Sequence, residues 1–241
     1  MANFQQHFLT AAGTSGVISS GLLSLEYFTS EQAILGFALG TIGGILPDLD
    51  SNHSKPLKMT RDVIAISFAF IIMYNKAKGY SLVEMAVLWI AIFSFIKYGI
   101  FNLFTNITVH RGMFHSIPAA IISGLVFVNI FYYLLGFDPM LSWVYSFFIF
   151  IGYMVHLILD EFVSLNLMGD YIKKSLGTAL KLYDKNNVTT SVVVYIAMII
   201  LFFIAPTSFE FNEMLSSDVI YKDIYNILLP KDEWFKNLFS F

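Results

Sequence analysis

The sequence of 241 residues contains no cysteine. Disulfides and thiolate metal sites are therefore excluded, and any metal ion must be held by histidine, aspartate or glutamate. Charged residues are also scarce, at 13% of the chain, and no lysine or arginine precedes Lys55. Because a secretory signal begins with a basic stretch, we expect the first apolar stretch to be a helix of the mature protein.

Hydrophobic residues make up 57% of the chain, and the mean hydropathy of +0.70 is that of a membrane protein. A helix needs about 20 apolar residues to cross the hydrocarbon layer. The apolar runs predict seven such helices, although the run at 60–77 also suits a re-entrant or buried segment. The runs are 8–28, 32–47, 60–77, 82–104, 117–136, 141–160 and 190–206.

These runs predict an all-α fold, a polytopic membrane bundle of six to seven helices with a polar metal site at the cytoplasmic interface. Residues 1–206 form the membrane-embedded domain in this interpretation, and 207–241 form a C-terminal tail. Trp234, Phe235 and Leu238 recur at helical spacing in the tail, which is typical of an interfacial amphipathic helix or of a helix packed on the protein's own surface.

If all seven helices cross, one membrane face receives every histidine and most of the basic residues. The positive-inside rule predicts that this face is cytoplasmic. Its basic residues are Lys55, Lys58, Arg61, Arg111, Lys173, Lys174, Lys181 and Lys185.

Three short motifs on the same face carry histidine and aspartate: "GGILPDLDS", "HRGMFHS" and "GYMVHLILDEF". In the third motif, His156 and Asp160 are four residues apart and share one face of a helix. Together with the N-terminal histidine, the motifs provide seven candidate metal ligands: His7, Asp48, Asp50, His110, His115, His156 and Asp160.

Imidazole and carboxylate are ligands suited to zinc, iron or manganese, and without thiolates a catalytic zinc site is favoured over a structural one. Seven ligands exceed the need of one tetrahedral ion, so we expect one or two divalent ions. Asp48 or Asp50 would bridge two ions, and a trapped water would become a nucleophile. Arg111 has the two-pronged charge that suits a phosphate oxygen. Asp48 and Arg111 are thus the candidate catalytic residues.

Simpler interpretations exist for each motif. Asp48 and Asp50 follow Pro47 and would then only terminate a helix. The histidines of "HRGMFHS" would lie in an interfacial turn, and the pair in the third motif would tie two helices together through a hydrogen bond. His53, beside Lys55, is more typical of a solvated loop residue than of a ligand.

The three motifs, in this order after His7, resemble the YdjM/YbcI family of inner-membrane metal-dependent hydrolases. The resemblance covers about residues 7–165 and implies that the seven candidate ligands occupy the family's polar motif positions. Met113 and Phe114 depart from the family, whose members often have a polar residue beside the second histidine. The family is distantly similar to zinc-dependent phospholipase C and the P1-type nucleases, which implies phosphodiester hydrolysis at a bacterial inner membrane.

We therefore predict a hydrolase of phosphoester bonds whose partners are the lipid bilayer and a phospholipid or other phosphoester substrate. No specific nucleic-acid partner is expected, because the basic face lacks interleaved aromatic residues. One alternative is an ion- or proton-coupled transporter in which His156, Asp160 and Lys97 relay protons or bind an ion. The simpler interpretation of Lys97 is that it snorkels or pairs with a carboxylate such as Glu84. Another alternative is a membrane adaptor that uses the metal only for stability. The sequence does not indicate the oligomeric state.

Overall fold

The computed structural model describes most residues of the three polar motifs. It covers residues 3–50, 61–70 without 63 and 67, 82–100, 113–165, 180–216 without 186, and residue 222. The predicted interfacial helix of the tail lies outside these residues and stays a prediction.

The described residues form an all-α structure, as predicted. The helices in chain order are α1 (Phe4–Ser24), α2 (Ser30–Gly43), a 3-10 turn (Leu46–Asp50), α3 (Leu82–Ser94), α4 (Ile117–Asn129), α5 (Pro139–Leu165), α6 (Val188–Ile204) and α7 (Phe209–Ser216). Helices α3 and α4 continue as π-helices over Phe95–Ile100 and Ile130–Leu134, and the described part of 61–70 is also helical.

The number of membrane-spanning helices can be compared with the predicted seven only over the described residues. Among the described residues, three qualify: Val83–Ile100, Ile117–Leu134 and Pro139–Ser164. Helices α6 and α7 add a fourth if the pair, bent by 111°, counts as one span. Helix α2 has only 14 residues, about 21 Å of helix against a hydrocarbon layer of about 30 Å.

Two helix ends differ from the predicted ones in ways that affect the polar motifs. Helix α1 begins at Phe4 because Asn3 and Gln6 form a reciprocal capping box, so His7 lies inside the helix rather than before it. Helix α2 ends at Gly43 rather than near Pro47. A proline at position 47 has no N–H for the carbonyl of residue 43, and the chain continues as a 3-10 turn.

Helix α5 packs against α1, α2 and α4 and forms the centre of the bundle. Its contact with α2 depends on glycines: a Cβ on Gly152 would collide with the backbone of Gly40, and one on Gly43 would collide with the backbone of Ile149. Small residues allow helix backbones to approach closely, which is typical of helix pairs in membranes.

This close approach predicts that Gly152→Ala destabilises the protein by about 1–3 kcal/mol, because α2 and α5 must separate to admit the methyl group. Thermal unfolding in detergent measures the effect. Gly13→Ala is the matched control, since a Cβ on Gly13 of α1 meets no atom within 4 Å. Equal unfolding temperatures for the two variants would contradict the proposed close packing.

Lys97 pairs with a different carboxylate from the one suggested by the sequence. Its Nζ atom lies 2.9 Å from Oδ1 of Asp62 and close to the rings of Phe93 and Tyr98, at 5.4 and 5.7 Å from their centroids. The pair links segment 61–70 to the π-helical end of α3. The partner is therefore Asp62 rather than Glu84, because the segment brought alongside α3 here is 61–70.

Candidate metal centre

Five of the seven candidate ligands meet at one end of the bundle. His7 lies in the second turn of α1, Asp48 in the 3-10 turn, and His115 just before α4. His156 and Asp160 are on successive turns of α5. The chain thus brings together the start of α1, the residues after α2, the start of α4 and the last turns of α5.

These side chains form two groups. Within each group, the ligand atoms all lie within 4.8 Å of one another. The first contains His7, His156 and Asp160, and Nε2 of His7 lies 3.3 Å from Oδ1 of Asp160. The second contains Asp48, His115 and His156, and Oδ1 of Asp48 lies 3.7 Å from Nε2 of each histidine. His156 belongs to both groups.

The cluster is almost completely removed from solvent. The three histidines and Asp160 are at most 2% exposed, whereas the side chain of Asp48 is 20% exposed. The rings of His7 and His156 stack with centroids 3.5 Å apart and planes 10° apart. Two imidazolium cations at this separation would repel, so at most one of these rings carries a charge. Asp48 is the member of the cluster that solvent can reach.

The protonation of His156 is determined by its backbone contact. Nδ1 of His156 lies 2.8 Å from the carbonyl oxygen of Gly44. A carbonyl only accepts, so Nδ1 carries the proton and, in the neutral ring, Nε2 presents a lone pair. This lone pair lies 3.7 Å from Oδ1 of Asp48 and 3.8 Å from Oδ2 of Asp160. The lone pair and the carboxylate oxygens repel one another, whereas a cation placed between them would be attracted by all three groups.

The donor set fits a divalent ion. Neither ring nitrogen of His7 has a hydrogen-bond partner among the described residues, and the same holds for Nε2 of His156. Zinc–nitrogen and zinc–oxygen bonds of about 2.0–2.1 Å place tetrahedral ligands about 3.3 Å apart. The separations of 3.3 to 3.8 Å observed here are close to that value. With neutral imidazoles the two carboxylates give the cluster a charge that a divalent cation balances.

Asp48 is ionised at neutral pH. Burial raises the pKa of its carboxyl, but the contact with His115 and the proximity of the other two histidines outweigh burial and hold the pKa below its ordinary value. An ionised carboxylate is the form that binds a metal ion.

The turn that carries His115 is fixed by its neighbours. Ser116 is the N-cap of α4, and its hydroxyl oxygen accepts from the amide of Ala119 at 3.3 Å. The hydroxyl of Ser116 also donates to the carbonyl of Met113. From α5, the hydroxyl of Tyr153 donates to the carbonyl of Phe114 at 2.5 Å. Hydrogen bonds from side-chain hydroxyls to the carbonyls of Met113 and Phe114 therefore support this turn.

The remaining predicted site residues are not among those that the structure describes in full. His110 and Arg111 lie outside the described residues, as do the side chain of Asp50, whose backbone ends the 3-10 turn, and His53, which was expected to be a solvated loop residue. Their predicted roles stay predictions. The carbonyl of Gly44, which orients His156, was not among the predicted site groups. The adjacent glycines in "TIGGILPD" are the one signal of a close backbone approach there.

Comparison with known proteins gives one family match, to the family described as YdjM inner membrane protein, over residues 1–169. All five clustered side chains lie within the matched range. The searches of curated proteins and of solved structures find no match.

Proposed function

The chain belongs to the YdjM inner membrane protein family, and on that premise we propose that it is a membrane-bound, metal-dependent hydrolase of phosphoester bonds in phospholipids. The observation that carries the proposal is the lone pair of His156, which faces two carboxylates inside a buried cluster of three histidines. Polar groups buried in this way are costly unless a ligand compensates them. In a membrane protein, such sites are most often functional.

Two sets of side chains would hold the ion: His7, His156 and Asp160, or Asp48, His115 and His156. Zinc is the ion that this set of imidazole and carboxylate ligands, without thiolates, suits best for catalysis. When bound, it would supply a Lewis acid for a phosphoryl oxygen and lower the pKa of a water molecule towards neutrality.

The chain's own residues would bind and orient the substrate. Asp48 is the most exposed member of the cluster, so water and substrate would approach on its side. Its ionised carboxylate can accept a hydrogen bond from an attacking water and orient it. Arg111, two positions before Met113, is proposed to bind phosphate oxygens with its permanently charged guanidinium and to offset the charge that develops on them.

A phospholipid substrate is supported by where the cluster lies in the bundle. The five side chains are at one end, near the start of α4 and the last turns of α5, two helices that have the length and composition of membrane spans. A site at the end of such helices is at headgroup depth, where phospholipids arrive by lateral diffusion. We further propose a multi-pass protein of the bacterial inner membrane with this end facing the cytoplasm, in accordance with the positive-inside rule.

A transporter is less well supported. A transport path needs ionisable residues along the depth of the bilayer, whereas His156 and Asp160 belong to a cluster at one end of the bundle. Lys97, the third residue of that alternative, pairs with Asp62.

Hydrolysis is tested by incubating the full-length protein in detergent with phosphatidylethanolamine, phosphatidylglycerol and cardiolipin. We expect zinc to support formation of diacylglycerol or phosphatidic acid, detected by mass spectrometry, and a chelator to abolish it. Asp48→Asn should lower the rate about 100-fold, because it removes the carboxylate that orients the attacking water.

Glu84→Gln is the control for Asp48→Asn, since Glu84 belongs to neither ligand group. Metal binding without any metal-dependent lipid product would contradict the hydrolase and favour the adaptor.

A further inference from the structure

Residues 180–185, named the strap here, lie against the turn that carries His115. The amide of Ile117 donates to the carbonyl of Lys181 at 3.2 Å, and Ser116 forms an isolated parallel β-bridge with Lys181. Leu180 packs on the apolar cluster that includes Tyr153, the residue whose hydroxyl holds the same turn. The strap therefore contacts this turn through both its backbone and a side chain.

The strap is itself anchored to α6. The hydroxyl of Tyr195 donates to the carbonyl of Leu182 at 3.0 Å, and the amide of Asp184 donates to the hydroxyl oxygen of Ser191 at 2.9 Å. Helix α6 in turn packs against α4. The strap thus connects α6 to the first residues of α4.

We propose that the strap is a positioning element of the metal centre, which keeps His115 in place to bind the ion. His115 precedes α4, so its position depends on the contacts of its turn rather than on a helix of its own. The strap lies beyond residue 169, where the family match ends. Metal affinity in this chain would then depend on residues outside the family-matched region. This inference rests on the proposed metal centre but not on hydrolysis.

Ile117→Pro tests the proposal, because proline removes the amide that binds Lys181. Proline is tolerated at the first position of a helix, and Ser116 already has the extended conformation that proline demands of the preceding residue. Ile117→Ala is the matched control, since it removes the same side chain and keeps the amide. We expect Ile117→Pro to weaken binding of Zn²⁺ and Co²⁺ about tenfold, and Ile117→Ala to change it less than twofold.

Calorimetric titration of the full-length protein in detergent gives the affinities, and the absorption spectrum of bound Co²⁺ reports the ligand geometry. A double-mutant cycle separates positioning from general destabilisation. If the strap acts through His115, adding Ile117→Pro to His115→Ala should cost less than twofold. A full tenfold loss in that background would overturn the proposal.

Tyr195→Phe provides a second variant should Ile117→Pro fail to fold. It deletes only the hydroxyl that holds Leu182, and we expect a three- to fivefold loss of affinity. If the wild-type protein binds metal and all strap variants bind it equally, the strap has no positioning role while the metal centre stands. If the wild type binds neither Zn²⁺ nor Co²⁺, the metal centre and the strap's role are both wrong.

Discussion

Replacing His156 with glutamine should abolish zinc binding. His156 is the residue shared by the two ligand groups, so its loss leaves each group with two ligands. Glutamine can still donate to the carbonyl of Gly44 but cannot at the same time supply the nitrogen lone pair of imidazole. Loss of a residue common to both groups should lower affinity by at least about 100-fold, or roughly 3 kcal/mol.

Thermal unfolding with and without zinc measures this effect. At a zinc concentration 100 times the dissociation constant of the wild type, binding should stabilise the wild type by about 2.7 kcal/mol and the variant by about 0.4 kcal/mol or less. Ser146→Ala is the control: Ser146 is a buried residue of the same helix, and its hydroxyl donates to the carbonyl of Ser142. Zinc should stabilise this control as it does the wild type. Equal stabilisation of His156→Gln would remove His156 from the site.

Replacing Asp160 with asparagine should change the free energy of unfolding in opposite directions without and with zinc. Asp160→Asn should stabilise the metal-free protein by about 1–3 kcal/mol and yet make it less stable than the wild type when zinc is present. The carboxylate of Asp160 is almost completely buried and faces the lone pair of His156. Without metal, this arrangement costs free energy that a neutral amide of the same shape avoids. With metal, the carboxylate is a ligand that the amide replaces poorly.

The opposite result is expected if Asp160 and His7 are simply a buried ion pair. Breaking such a pair typically destabilises a protein by about 3–5 kcal/mol, and the loss would be the same with or without zinc. Unfolding measured with chelator and with excess zinc distinguishes the two cases. Glu161→Gln is the control, because it changes the next residue along α5, which belongs to neither ligand group. Its difference in stability from the wild type should have the same sign with chelator and with excess zinc.

Both predictions test the same physical point, namely that the cluster is stable only with a cation inside it. The ring stack of His7 and His156 limits the positive charge that protonation can supply. The bond from Nδ1 of His156 to Gly44 directs the remaining lone pair towards the carboxylates. In a metal-free cluster held by hydrogen bonds, a proton would have to lie between Nε2 of His156 and the carboxylates instead of a cation.

The sequence by itself determined the fold class and the candidate ligands that the cluster contains. Long apolar runs predict membrane helices because hydrophobicity and helical length are local properties of the chain. The pairing of His156 with Asp160 follows from a spacing of four residues, which fixes their shared face within one helix. The N-cap at Ser116 is local in the same way, because serine is a preferred residue at this position.

Only the tertiary structure decided which ligands meet and what holds them. The positions of His7, Asp48 and His115 relative to α5 depend on how separate helices pack, which no local pattern records. The same is true of the bond from His156 to Gly44, the pairing of Lys97 with Asp62, and the strap. Each of these contacts joins residues far apart in the chain. Their free energies depend on the bundle's complete packing, through glycines that allow α2 and α5 to touch.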